Sequence, residues 1–103
     1  MDHGLNNTVV KKIQQVLSEH PDVQKAVLYG SRAKGNYKPG SDIDLTLEGD
    51  ALNLQQLNAI GNELDDLLLP YEFDLSIYHQ IDSPDLLEHI KRVGEIFYTR
   101  TKG

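Results

Sequence analysis

KAVLYGSRAKGNYKPGSDIDLTL, Lys25 to Leu47, is the stretch on which the reading of this chain turns. Lys25-Ala26-Val27-Leu28-Tyr29 is a short, mostly apolar run halted by Gly30, the pattern of a buried strand. Glycine, asparagine, lysine and proline dominate from Ser31 to Ser41, which predicts a loop with room for one helical turn at its start. Asp42-Ile43-Asp44-Leu45-Thr46-Leu47 then alternates polar and apolar, predicting a strand with one face on the core. On that strand the carboxylates of Asp42 and Asp44 share one face, while Ile43 and Leu45 point the other way.

The flanking sequence supplies the remaining layers. Val9, Val10, Ile13, Val16 and Leu17 recur at helical spacing after the cap candidates Asn6, Asn7 and Thr8, predicting a helix over about Asn7–Glu19 that His20-Pro21 closes. Leu57, Ile60, Gly61, Leu64, Leu67 and Leu68 trace a second helical stripe, capped by Asp50 or Asn53 and ended by Pro70. Glu72 to Tyr78 alternates again and predicts a third strand, with Phe73, Leu75 and Ile77 on the core side and Asp74 opposite. Ser83-Pro84 marks a capped helix start, Leu86, Leu87, Ile90 and Val93 its stripe, and Gly94 its stop. Glu95–Tyr98 then reads as a short edge strand. Helices and strands alternate throughout, so the expected fold is an α/β sandwich of helices against a small mixed sheet.

At 103 residues the chain has room for a single domain, 1–103, whose size allows a core that needs no staples. There is no cysteine, which excludes disulfides and thiolate metal sites and points to a reducing, cytoplasmic setting. A membrane span is excluded by the lack of a long apolar run, and the start lacks the pattern of a signal peptide. The net charge of −6 argues against a protein that grips duplex nucleic acid. Its distribution is uneven. No acid occurs between Val23 and Ser41, where Lys25, Arg32, Lys34 and Lys38 stand, and no Lys or Arg occurs from Pro39 to Ile90. A basic loop running into an acidic segment suits a polyanion together with its counter-ions.

Two carboxylates side by side repel unless a cation lies between them, and hard oxygen ligands suit Mg²⁺ or Mn²⁺ completed by substrate phosphates. Gly30 allows close backbone approach to a ligand, and the Ser31 and Arg32 amides at the start of a helical turn can face phosphate oxygens. Ser31 adds a hydroxyl donor. Arg32 offers a forked contact to phosphate and Lys34 a point charge. If the Asp74 strand neighbours the Asp42 strand, three carboxylates meet on one patch. Glu72 shares that face by alternation but reads as a surface acid. His79 follows the third strand within reach of a site edge, whereas His3, His20 and His89 show no ligand spacing, and each reads as solvated or capping. Tyr37, Tyr71, Tyr78 and Tyr98 are scattered and read as packing residues.

Gly30-Ser31-Arg32-Ala33-Lys34-Gly35, followed by Gly40-Ser41-Asp42-Ile43-Asp44-Leu45, resembles the signature of the DNA polymerase β superfamily, in its minimal nucleotidyltransferase (MNT) branch. The resemblance covers nearly the whole chain, because the helix and strand order continues to a third acid that Asp74 matches. It implies that Asp42, Asp44 and Asp74 are catalytic metal ligands for Mg²⁺ and that Gly30, Ser31, Arg32, Lys34 and Ser41 bind the nucleotide, ATP. Larger relatives carry a further domain over the nucleobase and acceptor; the sequence here stops soon after the core motif, so something else is expected to complete the site. The resemblance further implies a helical HEPN-domain protein as partner, with this chain as the antitoxin that transfers AMP onto it. Two other readings stay open: a non-catalytic nucleotide-binding subunit that neutralises its partner by complex formation, and a free-standing transferase for a small molecule.

Overall fold

The computed structural model describes residues 4–100. The first helix, α1 (Asn7–Ser18), starts where Asn6 caps it, the Asn6 side-chain oxygen accepting the Val9 amide at 2.9 Å. It buries Val9, Ile13, Val16 and Leu17. Strand β1 (Lys25–Tyr29) runs into a five-residue helix α2 (Gly30–Lys34), and a loop leads to β2 (Ile43–Glu48). Next come α3 (Leu54–Asp65), β3 (Phe73–Ile77), a 3₁₀ turn at Tyr78–Gln80, α4 (Pro84–Val93) and β4 (Glu95–Thr99). The strands form one sheet in the order β3-β2-β1-β4. β2 and β3 are parallel, joined through α3, while β1 pairs antiparallel with both β2 and β4.

Alternation along the strands gives the sheet two different faces. One face, with Ala26, Leu28, Ile43, Leu45, Leu47 and Ile77, packs with residues of α1 and α3 to form the main core. Ile43, Leu45 and Leu47 are wholly buried, and truncating any of them to alanine costs about 2–5 kcal/mol. This anchors β2 against sliding, since a slip of one residue would drive its acids into the core. The opposite face carries Val27 and Tyr29, on which Ile90 of α4 packs in a smaller cluster. α4 covers that face only in part, and the acids of β2 and β3 lie on the part left open.

Two boundaries differ from the sequence expectation. α3 ends at Asp65, five residues before Pro70, and the chain turns away at Leu68, a bulky exposed residue with φ of 56°. Of the two caps expected at its start, Asn53 serves: the Asn53 side chain accepts the Gln56 amide, and the Gln56 side chain accepts the Asn53 amide. Asp42 lies one residue ahead of β2 rather than within it. Gly94 does stop α4, yet it is extended rather than left-handed; glycine is required because a Cβ there would overlap the Ile90 carbonyl oxygen and crowd Val27. The Ser83 cap and the β4 edge strand appear as expected.

Candidate active site

The open sheet face takes its geometry from register. In the antiparallel pair Tyr29 lies opposite Asp44, and in the parallel pair Asp44 lies opposite Asp74. Adjacent strands are only about 4.8 Å apart, so the two carboxylates are neighbours across the sheet. Asp42, one pleat before Asp44, is exposed at the end of the strand. Burial pushes the Asp44 carboxyl up to about 6, with Asp74 and then Asp42 adding repulsion. Tyr29 is buried, and its phenol is raised by that burial and by the charges of Asp74 and Asp44, against which the Ser76 hydroxyl pulls in the opposite direction. The row behind holds Thr46 opposite Ser76, and the Thr46 hydroxyl is buried without a hydrogen-bond partner.

Gly30 closes one side of the site. Its φ is 76°, and a Cβ there would overlap Asp44 Oδ2 and stand 3.1 Å from Asp44 Cγ. Two independent constraints therefore require glycine: the left-handed backbone and the carboxylate it faces. Ser31 follows, half-buried, with its carbonyl accepting the amides of Gly35 and Asn36 to end α2. Lys34 is exposed at the end of that helix.

Arg32 is arranged differently from the forked phosphate contact expected of it. It is only 2% exposed; its Nε and one terminal nitrogen both donate to the Ser41 carbonyl, at 3.1 and 3.0 Å. Its guanidinium also lies over two rings, 5.1 Å from the Tyr37 centroid and 4.8 Å from that of Tyr71. Ser41 in turn accepts the Lys38 amide at its hydroxyl, 2.8 Å away, and so closes the loop that delivers the chain to Asp42. Arg32 and Ser41 thus shape the approach to the acids.

Two further residues border the site. His89 of α4 accepts the Gly30 amide at Nε2, 3.1 Å away, and meets Tyr29 edge-on with centroids 6.1 Å apart. Neither bore a signal of its own in the sequence: Tyr29 needs the β1–β2 register and His89 the placement of α4. Glu72 and His79 are exposed beside the site, whereas His20 is paired with Glu63 elsewhere.

The donor set suits a divalent cation whose shell is completed from outside. Three acids lie near one another, one of them already resisting ionisation, yet among the described residues no three acids or histidines are placed to cage an ion unaided. Mg²⁺ is usually bound in this way, by a few carboxylates together with water and substrate phosphates.

Residues 11–103 match the family model described as polymerase beta, nucleotidyltransferase. No curated protein matches the chain in sequence. Among solved structures, a chain of a toxin–antitoxin complex with AMP-PNP is 23% identical, with a TM-score of 0.73 over 89% of this chain and 74% of that one. A complex of tri-AMPylated Shewanella oneidensis HEPN toxin with MNT antitoxin contains a similar chain, 20% identical, with a TM-score of 0.70 over 93% of this chain and 74% of that one. A nucleotidyltransferase-like protein from Sulfolobus solfataricus is 17% identical, with a TM-score of 0.52 over 97% of this chain and 95% of its own. At these identities the likeness is one of fold.

Proposed function

The chain belongs to the polymerase beta nucleotidyltransferase family, the match spanning nearly its whole length, and on that premise we propose that it transfers AMP from ATP to a hydroxyl group on a helical HEPN-type partner protein, acting as that partner's antitoxin. The observation that carries the reading is the in-register pairing of Asp44 with Asp74 beside a glycine turn that only a residue without Cβ can make. The AMP-PNP complex and the AMPylated HEPN toxin among its structural neighbours support the choice of nucleotide and acceptor.

In this reading Asp42, Asp44 and Asp74 hold Mg²⁺ or Mn²⁺, which supplies neutralisation of the triphosphate and acidification of the attacking hydroxyl. Burial first, and then the charges of Asp74 and Asp42, raise Asp44; a bound cation would offset both, so metal and nucleotide would bind together more readily than apart. Ser31 offers its hydroxyl to the terminal phosphates and Lys34 a mobile positive charge. The acceptor oxygen attacks the α-phosphorus, the bond to the β-phosphate oxygen breaks, and pyrophosphate leaves. Asp74, at the open edge of the patch, takes the hydroxyl proton. Arg32 holds the loop ahead of Asp42 through Ser41. Among the described residues no element lies over the exposed rim, which leaves that side open for a partner to complete the site. The cysteine-free composition fits a reducing, cytoplasmic setting.

Incubation with ATP labelled at the α-phosphate, Mg²⁺ and a candidate helical HEPN-type partner tests the proposal. Label is expected on the partner. A stable complex that never acquires label, yet neutralises the partner, establishes the binding-subunit reading instead.

A further inference from the structure

α4 contributes none of the acids, yet it reaches the site through His89. The Gly30 amide is a donor with one hydrogen, so in the 3.1 Å contact His89 Nε2 accepts and the ring carries its proton on Nδ1. The same imidazole stands edge-on to Tyr29, the residue opposite Asp44. Ile90, next along α4, is buried against Val27 and Tyr29 and fixes the helix to the sheet. His89 is therefore held on a rigid element and grips the residue whose Cα faces Asp44 Oδ2.

We propose that His89 is a positioning residue for the nucleotide site: by accepting the Gly30 amide it sets the distance between the glycine turn and the Asp44 carboxylate. The inference rests on the nucleotidyl-transfer reading for what that distance serves. Gly30 has no side chain to pack and sits at a backbone angle that glycine leaves easily, so nothing of its own fixes the turn. The bond also commits the Gly30 amide to the protein. Gly30 then contributes shape, and contacts to the terminal phosphates fall to Ser31.

The test compares wild type with His89→Leu, which keeps the bulk and removes the acceptor, and with His89→Gln, whose side-chain oxygen can accept in its place. Three quantities are read: the exchange protection of the Gly30 amide by NMR, the His89 tautomer from its ring nitrogen shifts, and affinity for ATP with Mg²⁺ by calorimetry. Wild type is expected to show a neutral ring protonated at Nδ1 and a protected Gly30 amide that stays protected when MgATP binds. His89→Leu loses the protection and binds MgATP about two- to tenfold more weakly, the range one neutral hydrogen bond spans. His89→Gln recovers most of both. Equal MgATP affinity in wild type and His89→Leu overturns the inference, as does loss of Gly30 protection on nucleotide binding. Wild type that takes up no MgATP at all overturns the nucleotidyl-transfer reading, and this inference with it.

Discussion

Replacing Gly30 by alanine separates shape from chemistry at this site, because Gly35 provides a matched control. Both glycines are left-handed, with φ of 76° and 85°, but a Cβ at Gly35 meets nothing within 4 Å whereas one at Gly30 overlaps Asp44 Oδ2. Gly35→Ala should cost only the left-handed penalty of about 1–2 kcal/mol, or roughly 4–16 °C in melting temperature for a domain this small. Gly30→Ala carries the same penalty and must also displace the Asp44 carboxylate, an overpacking cost of about 1–3 kcal/mol. Its total is about 2–5 kcal/mol. Function should diverge further, since a carboxylate rotated off its partner Asp74 no longer offers the same ligand set. Thermal denaturation followed by circular dichroism reads the stability, and calorimetric titration with MgATP reads the site. Gly30→Ala is expected to lose about tenfold or more in affinity, equivalent to about 1.4 kcal/mol or more, while Gly35→Ala stays near wild type. A Gly30→Ala protein as stable as Gly35→Ala, binding MgATP like wild type, would refute the claim that the turn is fitted to Asp44.

Three other outcomes are expected. Asp44 has a folded-state value of about 6 against an ordinary 3.8, so its contribution to stability is fully present below about pH 4 and is lost as pH rises through about 6; in EDTA the melting temperature of wild type should fall over that window more steeply than that of Asp44→Asn. Parallel pH profiles for the two proteins would count against the burial and repulsion that raise Asp44. Arg32→Met removes two hydrogen bonds to the Ser41 carbonyl and two ring contacts, and should destabilise the fold by roughly 2–4 kcal/mol in chemical denaturation; a surface phosphate ligand would leave stability unchanged. Asp74→Asn should lower AMP transfer by about 10²–10⁴-fold while the complex with the partner persists on size-exclusion chromatography, and protection of cells at wild-type level by this variant would rule out catalysis as the mechanism.

Local sequence determined much of this molecule, because its elements are set by short-range rules. Apolar residues at helical spacing, an Asn or Ser cap and a period-two strand need no knowledge of the rest of the chain, which is why α1, β1, β3 and the Ser83-capped α4 lie close to where their patterns put them. The same alternation put Asp42 and Asp44 on one face and Asp74 opposite its strand's apolar side. Register was not legible. That Asp44 lies beside Asp74 and opposite Tyr29 follows from the β3-β2-β1-β4 order, which depends on the long-range packing of α1 and α3 beneath the sheet. Side-chain direction was also beyond the local pattern. Arg32 in a basic loop reads as a phosphate ligand, but Tyr37 and Tyr71, 34 residues apart, converge on it only in the folded chain and turn it inward. His89 has no informative neighbour in sequence, since its partner Gly30 lies 59 residues away. A helix carries its own amphipathic signal in its sequence, whereas a hydrogen bond across 59 residues exists only after α4 has docked on the face that Tyr29 and Asp44 share.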